Sequence, residues 1–120
     1  MQTARHQWAY SDAAAPVRTG RSLEYNVLAR ITRSISSAES RGHFPDLAAA
    51  LHDNTRLWTV FATQVADSDN ALPEDLRARI FYLARFTHHH TPKVLAGNAS
   101  ASPLVAINTA IMRGLRGETE

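Results

Sequence analysis

The chain has 120 residues, 44% hydrophobic and 20% charged, with no cysteine and a formal net charge of +2. That length suits one domain with its own hydrophobic core. The missing cysteines exclude disulfides, thiolate nucleophiles and Cys-type zinc sites. No apolar run approaches the roughly 18 residues of a membrane span, so no membrane insertion is expected.

Residues 1–19, ending in "APVRTG", form a polar and partly irregular lead segment that nonetheless carries Trp8 and Tyr10. It has no apolar h-region, so no secretory signal is expected, and its aromatic pair suits docking on the domain or meeting a partner. The helical domain is placed at residues 20–117 and a polar tail at 118–120.

Four helices and no strand are expected. The first starts near Thr19 or Ser22 and ends near Ser40, with Leu28, Ile31 and Ile35 inside and Leu23 and Val27 at its flanks. The second opens at "FPDL", where Pro45 suits the first turn and Asp46 the positive end of the helix dipole. It runs to about Ala66 on the stripe Leu47, Leu51, Asn54, Trp58, Phe61, Val65. The third opens at "LPEDLRARI" and repeats the rhythm through Leu76, Ile80, Leu83, Thr87, His90 and Val94, until Pro92 should kink or stop it. The fourth takes Ser102 as N-cap and Pro103 at its first position, with Leu104, Asn108, Ile111 and Leu115 inside. Alternating steps of four and three are those of helices packed side by side at shallow angles. The fold expected is all-α: a small bundle of about four helices, mostly antiparallel.

Polar residues interrupt these stripes: Glu24 on the first helix, Asn54 on the second, His90 on the third, Asn108 on the fourth. A buried amide without a partner costs about 1–3 kcal/mol, so each must find a hydrogen bond. Two readings stand. In one the groups satisfy each other and fix helix register. In the other the seam is partly open and the amides meet another protein's helix, with Met112 as an adaptable groove residue. Trp58, Phe61, Tyr82 and Phe86 would ordinarily be core.

No chemistry is expected. In "THHHTP", consecutive His88, His89 and His90 diverge by about 100° each on a helix, and no carboxylate stands three or four positions away. No metal or other cofactor is expected. There is no GxSxG, HExxH or P-loop motif, so the chain is not expected to be an enzyme. Basic residues are scattered among acids, with Lys93 the single lysine, so nucleic-acid binding is not favoured.

A resemblance adds what composition cannot. "NTRLWTVF", "ALPEDLRARIFYLARF", "KVLAG" and "INTAIMRGL", with the earlier "AY" and "TGRSLEYNVLARIT", resemble in order the FlaF family of bacterial flagellar biosynthesis regulators. The triple histidine is not part of that pattern. The resemblance implies a cytoplasmic flagellin-binding chaperone that promotes flagellin synthesis and secretion, similar in purpose to FliS. Its implied partner is a terminal helical segment of flagellin, and FlbT is a further one. The expected contact residues are Asn54, Leu57, Trp58, Phe61, Asn108, Ile111 and Met112. The alternative is a post-transcriptional regulator acting on flagellin mRNA or through FlbT, carried by Arg18, Arg21, Arg30 and Arg33.

Overall fold

The computed structural model describes residues 17–115, with side chains from 24 to 114. The lead segment with Trp8 and Tyr10, the tail, and the side chains of Arg18, Arg21, Leu23 and Leu115 lie outside the described residues. Four helices follow one another: α1 (Val17–Arg41), α2 (Phe44–Ala66), α3 (Glu74–Leu95) and α4 (Ser102–Leu115), with no strand among the described residues. The protein is all-α, as the stripe rhythm predicts.

Two of the three connections are set by glycine. Gly42 follows α1 at φ 67°, where an L side chain would crowd its own backbone. Its amide donates to the Glu39 carbonyl and the His43 amide to the Ala38 carbonyl, both at 3.1 Å, which closes the helix end as a Schellman motif. The next residue after His43 already starts α2, so the chain reverses within two residues. Gly97, at φ 81°, ends α3 by the same pair of bonds to Val94 and Lys93. Between α2 and α3, Arg77 donates to the carbonyls of Leu72 (3.2 Å) and Val65 (3.4 Å), tying the start of α3 to the end of α2.

α2 packs on α1 and α3, α4 packs on α1, and α3 and α4 scarcely meet. The cross-links run antiparallel. Arg41 meets Asp46 across α1 and α2, Thr59 meets His88 across α2 and α3, and Glu39 meets Ala101 at the start of α4 while Thr32 meets Asn108 further along.

Four local expectations are corrected. Pro92 does not stop α3, which continues to Leu95. A proline so near the C-terminus forfeits a single N–H, and the Ala96 amide still reaches the Pro92 carbonyl at 3.0 Å. Ser102 is the first helical residue of α4 and not its cap. The Ser100 hydroxyl accepts from the Ser102 amide at 2.9 Å, and the Glu39 carboxylate accepts from the Ala101 amide at 2.7 Å, so the cap is supplied partly by α1. Tyr82, expected in the core, is 67% exposed, and Leu76 is 37% exposed at the first turn of α3.

Candidate partner-binding site

The apolar interior falls into two clusters. One gathers Ile31, Ile35, Ala50, Leu51, Val94, Ala101 and Leu104. The other gathers Leu28, Trp58, Phe61, Val65, Ile80 and Ala84. In α2 and α3 a buried polar residue, Asn54 or Thr87, stands between the members of the two clusters, and α1 and α4 contribute buried Thr32 and Asn108. These four form a polar layer across the core, and Thr91, one turn beyond Thr87, is buried as well and donates to the Thr87 carbonyl at 2.7 Å.

Asn108 is the hub of that layer. Its Oδ1 accepts the Trp58 indole N–H at 2.9 Å. Its Nδ2 donates to Asn54 Oδ1 at 2.8 Å and to Thr32 Oγ1 at 3.1 Å. The Thr32 hydroxyl donates onward to the Leu28 carbonyl at 2.7 Å, closing the chain on the α1 backbone. An asparagine mid-stripe in α2 therefore has a plain reason: its carboxamide oxygen holds the equivalent amide of α4. Two groups in the layer, Asn54 Nδ2 and the Thr87 hydroxyl, have no hydrogen-bond partner among the described residues. Such a network orients α4 against α1 and α2 and resists substitution, because each partner left alone is costly.

The seven expected contact residues divide by depth. Asn54, Trp58 and Asn108 are fully enclosed, and Phe61, 7% exposed, meets Trp58 edge-on at 5.2 Å between ring centroids. Leu57, Ile111 and Met112 are half-buried. They pack on the Trp58 cluster together with Leu72, Leu83 and Ile107. In this conformation only those at the rim offer apolar surface to another molecule, while the amides sit behind them. Thr32 completes the network and was missing from the expected set, although it lies four residues from Leu28 and three from Ile35. His88 and His90 are used locally: His88 bonds the Ala84 carbonyl (2.7 Å) and Thr59 (2.9 Å), and His90 bonds the Ser100 carbonyl (2.7 Å) while stacking on Phe86. Among the described residues no three His, Asp or Glu side chains gather as a metal site. No described helix is long and apolar enough to cross a membrane.

The family model described as "Flagellar protein FlaF" matches residues 6–115. No curated protein and no solved structure matches the chain. The match takes in all four helices and every residue of the polar layer, and the chain accordingly belongs to the FlaF family of flagellar proteins.

Proposed function

We propose that this chain is a cytoplasmic, non-enzymatic helper of flagellin production that binds a terminal amphipathic helix of flagellin and so promotes its synthesis and secretion. The observation that carries the reading is the FlaF family match across nearly the whole chain. A second supports the place of contact: half-buried Leu57, Leu83, Ile107, Ile111 and Met112 rim the Trp58 cluster where α3 and α4 scarcely meet. An amphipathic helix laid along that rim hides its own apolar stripe and completes the cover of Ile111 and Met112. The buried amides then act indirectly, by holding α4 at the depth that presents those side chains.

Magnitudes set the size of the contact. Ordering a flexible segment costs about 2–5 kcal/mol, and micromolar affinity needs about 8 kcal/mol net. At about 25 cal/mol per Å² of apolar surface, and with the cost of association added, burial on the order of 1,000 Å² is required. That is several turns of helix, which the terminal segments of a filament protein supply.

The test is size exclusion with light scattering on the purified chain, with and without flagellin. A 1:1 complex that disappears when one flagellin terminus is deleted is the expected result. Separate elution at micromolar concentration, with a complex formed instead with FlbT or flagellin mRNA, overturns the reading.

A further inference from the structure

The outer face between α1 and α2 holds a groove of about 440 Å³, within the usual size range of ligand sites. It exists because the side chains facing it are short. Ser34 and Ser37 on α1 and Ala49 and Ala50 on α2 leave the space between the two helices unfilled. Its banks differ in sign. Arg30, Arg33 and Arg41 line the α1 side, and Asp46 and Asp53 the α2 side.

The two ends of the groove are not alike. At the hairpin end Arg41 Nη2 stands 3.1 Å from Asp46 Oδ2, and Arg41 Nε donates to the Ser37 hydroxyl at 3.1 Å. That end is neutralised from within. At the other end Arg30 and Arg33, both exposed, form no ion pair with any described residue, and neither does Asp53. From Arg30 to Arg41 the α1 bank runs about 16 Å at 1.5 Å per residue, enough for two or three turns of a guest helix or a shorter extended strand.

The geometry points to this groove as a docking site for an acidic peptide segment whose carboxylates are held by the guanidinium groups of Arg30 and Arg33. Guanidinium presents a planar fork of donors that matches a carboxylate in two parallel hydrogen bonds, which suits an open pair of arginines beside a channel. Asp53 on the opposite bank selects the kind of anion. A peptide can place its acids toward α1 and its amides or a basic side chain toward α2. A nucleic-acid backbone carries a charge at every unit, so it would set phosphates against Asp46 and Asp53 as well. Three guanidiniums facing two carboxylates are poor counterions for such a polyanion. The groove has no lining residue from α3 or α4, so it is a different surface from the rim at Ile111 and Met112. The inference does not rest on the flagellin reading.

The test is fluorescence anisotropy with the full purified chain and a fluorescein-labelled alanine-rich helical peptide carrying glutamates four residues apart, at about 50 mM salt. The parent should bind it. Arg30→Glu combined with Arg33→Glu should weaken binding by about tenfold or more, Arg30→Gln alone by less, and Asp53→Asn should tighten it. All these positions are exposed, and an unchanged thermal midpoint identifies a loss of binding that is not a loss of fold. The inference is overturned by no binding up to about 1 mM peptide. It is also overturned if the double charge reversal stays within about twofold of the parent, or if a labelled oligouridylate binds more tightly than the peptide and depends on the same arginines. None of these outcomes involves flagellin, so failure here leaves the client reading to its own experiment.

Discussion

Replacing Asn108 with alanine removes the one side chain that hydrogen-bonds Trp58, Asn54 and Thr32 together. Among the described residues Trp58 Nε1 then loses its only acceptor, and Asn54 Oδ1 its only donor, both in the closed interior. Thr32 keeps its bond to the Leu28 carbonyl. Two buried groups stranded at about 1–3 kcal/mol each, with the space left by the lost amide, bring the expected loss to about 3–5 kcal/mol. Against a typical total of about 5–15 kcal/mol this is a large share, equivalent to a fall in midpoint of about 15 °C or more. Asn54→Ala should cost much less, about 1–2 kcal/mol, since Asn108 Nδ2 retains Thr32 and the substitution also deletes the unpartnered Asn54 Nδ2. The double variant should lose less than the sum, with a coupling of about 1–2 kcal/mol, because the group stranded by the first change is absent in the second. Urea unfolding followed by tryptophan emission in a Trp8→Phe background reads the interior directly, as Trp58 is then the sole indole. An Asn108→Ala variant within about 0.5 kcal/mol of the parent, or Asn54→Ala the more damaging of the two, would show that the layer does not have these partners.

Gly42→Ala should lower stability by about 1 kcal/mol through backbone strain alone, because φ is 67° and nothing lies within 4 Å of the added methyl; thermal melting checks it. Glu39→Ala should cost about 1 kcal/mol and speed amide exchange in the first turn of α4, where the carboxylate now accepts from the Ala101 amide; exchange unchanged there would place the cap elsewhere. Met112→Asp should reduce flagellin binding about tenfold while shifting the unfolding free energy by no more than about 1 kcal/mol, since this side chain is only half-buried; co-elution and urea titration together separate the two effects.

Much of this was legible in the letters, for reasons that also mark where legibility ends. The four–three rhythm fixes which face of a helix is apolar, so four helices followed from spacing, and with them the placing of Asn54 and Asn108 on inner faces; that these two hold each other was one of two readings the spacing left open. Rhythm does not say how far a neighbouring helix extends, and Leu76, on stripe but in the first turn of α3, stays partly exposed. Tyr82 follows the buried Ile80 by two positions, about 200° around the wheel, which places it on the outer face whatever its hydrophobicity. Ser102 and Ser100 are equally good caps by residue type. Only Glu39, distant in sequence, decides between them. Thr32 went unnoticed for a related reason: a threonine that bonds its own helix carbonyl resembles an ordinary helix residue until a second helix brings an amide to it.

The polar layer has a consequence for any surface that α4 presents. α4 is the shortest helix, 14 residues, and its fully buried apolar contribution among the described residues is a single leucine, with Ala101 just ahead of its start. Apolar contacts alone discriminate poorly between neighbouring registers, because a slip of one turn exchanges one aliphatic residue for another on the same face. Moving α4 by four residues would carry Asn108 away from Trp58, Asn54 and Thr32 and bring Leu104 or Met112 to the same level. The three hydrogen bonds made by Asn108 would be lost together and its amide would enter an apolar cluster, at a cost of several kcal/mol. The slipped state is therefore disfavoured far more by the amides than by packing, as a single polar residue does in a coiled-coil seam. Register in turn decides which residues reach the rim. In the observed register these are Ile107, Ile111 and Met112, whereas one turn of slip would put Pro103 or arginine-flanked Leu115 near those places. Asparagine in the middle of the stripe thus governs the composition of an apolar surface it does not itself touch.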